Sequence, residues 1–268
     1  MGPKIEALPD DHPSKPECLF KLAWLFDSIG NDKERKRLLE HALRLERERG
    51  NDGQVAFILC DLSDANRMLG FFEEGIGQAR EGLEIYERTG DAEGQGDCLV
   101  RLAWLLRDDE QLDAAEEAAF RAIKTLPEKG QESRVSESHR ILGVIYRSKG
   151  EKEKAIHHFE TALTIASSFG WSNRLFWIHY GLAGLFLDED DFDKAHTHVE
   201  QARAYTVDDY SLGRAILLQA QMYYRQHRLE DSAPKALRAL EIFEGFEAQG
   251  DVEECKHLLR DIEQAMKS

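Results

Sequence analysis

A forty-residue spacing of chain-breaking residues constrains this chain more than any other feature. Gly50, Gly90, Gly130 and Gly170 follow one another at intervals of forty, and Gly250 falls eighty beyond the last. A second comb runs through Gly30, Gly70, Glu110, Gly150, Asp190 and His227. Glycine is the cheapest residue at a left-handed helix terminus, so combs of it predict C-terminal caps and not flexible linkers. Two interleaved combs place two turns in each period. Between them lie helix-length segments with apolar residues at helical spacing, such as Ile141, Leu142, Ile145 and Tyr146 and then Ile156, Phe159 and Leu163. Each period therefore predicts a helical hairpin, and scarce Pro with abundant Ala, Leu, Glu, Arg and Lys agrees.

Small residues fall into the same beat. Ala23, Ser63, Ala103, Gly143, Ala183 and Ala220 each precede a second-comb position by seven residues. Ala42, Gly82, Ala122, Ala162, Ala202 and Ala239 each follow one by twelve. Close packing of two helices needs small side chains where the axes cross, so these positions predict crossing points. Longer strings repeat as well, Leu22-Ala-Trp-Leu-Phe26 returning as Leu102-Ala-Trp-Leu-Leu106.

The run from Ile141 through Leu142-Gly-Val-Ile-Tyr146 to Ala162-Leu163 resembles a tetratricopeptide repeat. The resemblance implies an all-α, right-handed α-solenoid of about six such hairpins plus a C-terminal capping helix. The expected organisation is a lead-in at 1–15, repeats near 16–50, 51–90, 91–130, 131–170, 171–209 and 210–249, and a cap at 250–268 that covers the last apolar face. Three departures qualify it. Arg35 stands where the family prefers a small residue, Gly75, Gly77 and Gly82 weaken one second helix, and Pro234 falls in the first turn or kinks another. A spacing of 37 from Asp190 to His227 predicts a three-residue shortening between repeats five and six. The lead-in Ala7-Leu-Pro-Asp-Asp-His-Pro13 and the forty-residue period are further similar to the tetratricopeptide tails of fungal STAND-type signalling proteins, in which an NTPase domain precedes the tail. On that resemblance Gly2-Pro3 reads as a cloning remnant.

Charge and motifs exclude several functions. The net charge of −16 opposes general attraction to nucleic acid or anionic lipid. No run of about 18 apolar residues offers a membrane span, and the polar start lacks the apolar run of a secretory signal, so the expected location is cytoplasmic. Cys18, Cys60, Cys98 and Cys255 never form a Cys-x-x-Cys pair, which predicts buried, reduced thiols. His157-His158 and the pair His196 and His198 resemble metal ligands, yet residues one or two apart on a helix point in different directions. No phosphate loop, nucleophile elbow or zinc-protease motif is present, so no catalytic residue, cofactor or metal is assigned.

In tetratricopeptide stacks the first helix of each hairpin lines the concave surface, and that register selects the candidate binding residues. Arg67, Arg107 and Arg147 lie three residues before the second comb, with Arg225 displaced by one in the sixth repeat. Trp24, Asp64 and Trp104 lie six before it, and Arg140, Trp177, Tyr180 and Tyr224 join them on the same face. Arginine and aromatic side chains are enriched at binding hot spots. An unpaired arginine ladder would attract an acidic peptide, whereas Asp64, Asp97, Asp108 and Glu137 offer partners that would neutralise it. The pattern lacks the Asn and Lys clamp with which the family holds the carboxylates of chaperone tails.

The function these readings predict is a non-catalytic scaffold that holds a protein or peptide, without nucleic acid or membrane. Two copies can pair through the ends of the solenoid. The alternatives are a ligand-sensing tail of a STAND-type NTPase and a repeat-built small-molecule receptor or enzyme, the last needing a deep cavity with converging titratable groups.

Overall fold

The computed structural model describes residues 8–126, 130–246 and 249–267, so Gly2 and Pro3 lie outside the described residues. Among these, thirteen helices and no strands occur: α1 (Lys15–Ser28), α2 (Asp32–Arg49), α3 (Asp52–Met68), α4 (Phe72–Thr89), α5 (Ala92–Asp108), α6 (Leu112–Thr125), α7 (Glu132–Ser148), α8 (Lys152–Phe169), α9 (Ser172–Asp188), α10 (Phe192–Ala204), α11 (Asp209–Arg225), α12 (Leu229–Gly245) and α13 (Gln249–Lys267). The all-α class and the hairpins are as the combs require. The chain divides into two compact units, residues 1–141 and 142–268, with the division inside α7.

Every second-comb residue adopts the left-handed region, glycine or not: Gly30, Gly70 and Gly150 at φ 72°, 78° and 72°, and Glu110, Asp190 and His227 at 61°, 55° and 57°. The reason is a repeated closing bond. The N–H after each comb residue donates back five residues, from Asn31 to Phe26 O, Phe71 to Asn66 O, Gln111 to Leu106 O, Glu151 to Tyr146 O, Asp191 to Phe186 O and Arg228 to Tyr223 O. This closure satisfies a terminal carbonyl and offsets the strain at the three non-glycine positions.

The first comb is less uniform. Gly50, Gly90 and Gly170 cap α2, α4 and α8 in the left-handed region. After α6 the cap is instead Leu126, extended at φ −67° and ψ 138°, as suits a residue before Pro127. Gly250 is a correction, for it lies inside α13 and caps nothing. The phase is lost at α10, which has 13 residues against 18 in α8. The chain passes from it through Tyr205 to Asp208, whose capping box with Ser211 starts α11. Pro234 lies past the first turn of α12, within the helix.

The small residues sit where the axes cross. Ala23, Ser63, Ala103, Ala183 and Ala220, and likewise Ala42, Ala122, Ala162, Ala202 and Ala239, are at most 1% exposed. A Cβ on Gly143 would come within 2.7 Å of Phe159, and one on Gly181 within 2.6 Å of the same ring. Gly75 would meet Leu105 at 2.7 Å, so it is an approach point and not merely a weak helix former. Within each unit first helices also pack on first helices, α3 on α5, α9 on α11 and α11 on α13, which makes the first-helix face the inner one.

Two further elements were not legible beforehand. Residues 8–14 are strapped to α2: Asp10 accepts from His41 and Arg44, and Arg49 donates to the carbonyls of His12 and Pro13. The expectation of four reduced thiols is also corrected, because Cys60 on α3 and Cys98 on α5 are joined in a disulfide, Cα–Cα 5.6 Å. A near-repeat separation of 38 places them on facing helices. Cys18 and Cys255 are free, and burial pushes the Cys255 thiol up to about 12.

Gly77 has open space where a Cβ would go. Gly77→Ala is therefore expected to raise stability by about 0.5–1 kcal/mol, whereas Gly143→Leu, driven into Phe159, should cost about 1–3 kcal/mol. Urea unfolding of the two variants checks both signs.

Candidate functional site

In the first unit the inner face is organised around Trp104 on α5. Its ring is flanked by three guanidiniums, Arg140 at 4.6 Å, Arg107 at 5.0 Å and Arg67 at 5.9 Å from the centroid. Its indole N–H donates to Glu137 at 3.0 Å. The forty-residue period sets part of this arrangement, since Arg67 on α3 and Arg107 on α5 share one register forty residues apart, while Trp104 stands about one turn before Arg107 and Arg140 comes from α7.

Every arginine here is held by carboxylate. Arg67 donates to Asp64 at 3.2 Å and to Asp108 at 3.1 Å, Arg107 pairs with Asp108 at 3.1 Å, and Arg140 donates to Glu137 at 2.9 Å. A deeper layer lies behind them. Arg35 on α2, 4% exposed, meets Asp27, Asp32 and Asp64, and Arg101 donates to buried Asp61 at 2.9 Å. Burial alone would raise the Asp64 carboxyl, but Arg67, Arg101 and Arg35 outweigh it and hold it below the usual range. At Asp61 burial wins and the carboxyl titrates high. The neutralised ladder is thus what forms, and the free positive groove expected from an arginine stripe does not. Trp24 stands apart from this cluster, 65% exposed on α1.

In the second unit the inner face centres on Arg214 of α11, which the sequence reading missed. One of its nitrogens donates to the Tyr180 hydroxyl at 2.6 Å, and another pairs with Asp251 and Glu254 of α13. Tyr210 donates its hydroxyl to Asp251 at 2.9 Å, and Trp177 meets Tyr180 edge-on at 5.6 Å. Burial opposes the charge on Arg214, but Tyr180, Glu254 and Asp251 outweigh it and raise its pKa. Arg147 donates to Asp188 at 2.6 Å, and its guanidinium lies over Gly184, so a Cβ there would displace it. Arg225 pairs with Asp190 at 3.0 Å, and Tyr224 packs against the core of α11–α13. The available signal for Arg214 was register, because it occupies in α11 the position of Trp177 in α9.

Of the four histidines that resemble metal ligands, His157 and His196 are exposed, while His158 and His198 pack against neighbouring rings. His158 stacks on Tyr146 at 5.3 Å, and His198 faces His179 across the α9–α10 hairpin with their Nδ1 atoms 3.0 Å apart. Tyr205 stacks on His179 and Phe186 on His198. Elsewhere, a cleft of about 520 Å³ between α2 and α4 is bordered by Arg47, Glu81 and Arg88, and none of the sequence-predicted binding residues borders it. No helix among the described residues is long and apolar enough to cross a membrane.

A family model described as the tetratricopeptide repeat matches residues 138–169, the stretch that holds Gly143 and Phe159. That stretch is a tetratricopeptide repeat. Kinesin light chain-related protein 3 of Arabidopsis thaliana is 24% identical over 213 residues, 76% of this chain and 33% of that protein. The repeat chain spans about a third to two fifths of the length of the curated relatives it matches. Among solved structures, a Rap protein complexed with Competence and Sporulation Factor superposes with a TM-score of 0.73 at 15% identity, over 98% of this chain and 78% of that one. A STAND protein with a tetratricopeptide repeat sensor from Pyrococcus horikoshii gives 0.65 at 17% identity, over 95% of this chain and 42% of that one. At such identities the likeness shows the fold, a helical-hairpin solenoid of the tetratricopeptide type.

Arg35→Ala would leave Asp27, Asp32 and Asp64 facing one another and is expected to cost about 3 kcal/mol in urea unfolding. His179 is held to about 4, chiefly by burial and secondly by His198, against its ordinary 6.5. The neutral imidazole is the native form, so its contribution is complete above pH 6.5 and is lost as pH falls toward 4, by about 1–3 kcal/mol. Unfolding free energies at pH 7.5 and pH 4.5 should show this fall, and His179→Gln should flatten it.

Proposed function

We propose that this chain is a non-catalytic scaffold that captures a peptide or protein segment on its first-helix face. The observation that carries the reading is Trp104, a large amphipathic side chain set among Arg67, Arg107 and Arg140 on the inner face. Aromatic and arginine side chains fixed by neighbours present contact area at little entropic cost on binding. The Trp177, Tyr180 and Arg214 cluster supplies the same chemistry on the second unit. The structural likeness to a Rap protein complexed with Competence and Sporulation Factor supports a role in holding a partner. An acidic segment would enter only by exchanging with Asp108 or Glu137, since the arginines already hold those carboxylates.

A second reading, a ligand-sensing tail of a larger signalling NTPase, draws support from the sensor-bearing STAND protein that this chain matches over 95% of its length. Both readings use the same face. They separate on whether the gene also encodes a nucleotide-binding domain whose turnover responds to the captured ligand.

The test is affinity for a partner recovered by crosslinking and then measured by calorimetry. Trp104→Ala should keep the helical signal and weaken that partner about tenfold or more, while Glu81→Lys on the second-helix side leaves it unchanged. Equal affinity in Trp104→Ala and Tyr180→Ala would overturn the assigned face.

A further inference from the structure

The inner face of the first unit changes character along its length. Trp104 sits among paired charges on α5, whereas the first two hairpins present apolar rings. Phe20 and Trp24 lie one turn apart on α1 and so share a face. Phe57 on α3 brings its ring to 5.0 Å from Phe20. Trp24 is 65% exposed and Phe57 42%, while Phe20 rests on the core beneath them. Phe20 and Trp24 take the registers that Arg140 and Trp104 take further on, and Phe57 takes that of Glu137, eighty residues later. Exposed apolar clusters of this kind mark interaction surfaces.

Charge around the rings selects the occupant. Asp27, three residues after Trp24, is half-exposed, and its nearest cation Arg35 is sunk at 4% exposure. Lys21, on the neighbouring side of α1, is already paired with Glu17 at 2.6 Å. An approaching segment therefore meets exposed carboxylate beside an open indole face, the combination that attracts a lysine or arginine side chain by ion pairing and cation–π contact together. A chain charge of −16 adds to the attraction.

We propose that the first two hairpins take a segment that is apolar and basic, its apolar side chain on Phe20 and Phe57 and its cation between Trp24 and Asp27. This deepens the scaffold reading and rests on it. It also reverses the acidic partner that an unpaired arginine ladder would have selected.

Three synthetic peptides of equal length serve as probes: one of Leu and Lys, one of Leu and Glu, one of Ser and Lys. Calorimetry at physiological salt should show the Leu/Lys peptide binding, at least about tenfold tighter than either other. The double variant Trp24→Ser with Phe57→Ser, both positions being exposed, should keep its circular dichroism and melting temperature and lose at least about tenfold in affinity. A Leu/Glu peptide that binds more tightly and is weakened by Trp104→Ala overturns this inference and leaves the scaffold face standing. Equal binding of Ser/Lys and Leu/Lys reduces the effect to bulk charge and overturns it. Leu/Lys binding that is absent also overturns it, and binding unmoved by the double variant and by Trp104→Ala overturns the face as well.

Discussion

Contact between helix backbones, permitted only where the intervening side chain is small, positions everything else in this molecule. Phe159 shows the tolerance: its ring lies against Gly143 on one helix and Gly181 on another, and neither has room for a methyl group. A large ring fits because two side chains are missing. Such contacts are steric and fall off within a fraction of an ångström, so they fix spacing and rotation between hairpins more tightly than apolar burial, which is indifferent to direction. Burial then rewards the arrangement that sterics select.

Once hairpins are locked at a common spacing, residues about forty apart face each other on the inner side. Arg67 meets Asp108, Arg101 meets Asp61, Arg147 meets Asp188 and Arg214 meets Glu254, at separations of 40 or 41. Part of the excess of acid is thereby accommodated, because each of these guanidiniums reaches at least one carboxylate on a neighbouring repeat or on α13. Partly buried pairs of this kind add modestly to stability, but any slip between hairpins would strand a charge. The same alignment cancels the positive potential that a bare arginine stripe would carry. What remains available to a partner is aromatic surface and residual acid.

The caps and crossings were legible in the sequence because each depends on one residue and its own backbone. Glu110, Asp190 and His227 could be placed in the glycine comb by position alone, and all three take the left-handed conformation. Gly250 fails by the same logic, since a spacing of eighty carries no information once α10 has lost a turn. Register also located the inner face, but it could not say what each side chain meets there. Trp24 and Trp104 occupy equivalent positions, yet one is exposed and the other is enclosed by three guanidiniums, because only the later repeats supply arginine on both sides. Arg35, Arg214 and the Cys60–Cys98 link escaped for the same reason. Register marked the position of Arg214 and the spacing of Cys60 and Cys98, but the partners of each come from other helices, and which groups meet is not written at one position alone.

The C-terminal helix shows how a capping element acquires a second role. Its apolar side, Val252, Cys255, Leu258 and Ile262, covers the sixth hairpin, as the end of a repeat array demands. A helix chosen for that duty alone would need nothing on its adjoining edge. Yet α13 carries Asp251 and Glu254 there, at the register of first helices, and both reach Arg214. Arg214 in turn holds the Tyr180 hydroxyl, and Trp177 rests on Tyr180. The aromatic pair on α9 is therefore linked to α13 through a single intervening side chain, Arg214. Because Asp251 also receives the Tyr210 hydroxyl, removing α13 would uncover apolar core and strand a buried cation in one step. Stability and the shape of the inner face are coupled at that end of the second unit, and a segment that competes for Arg214 has to offer two carboxylates where α13 already presents them.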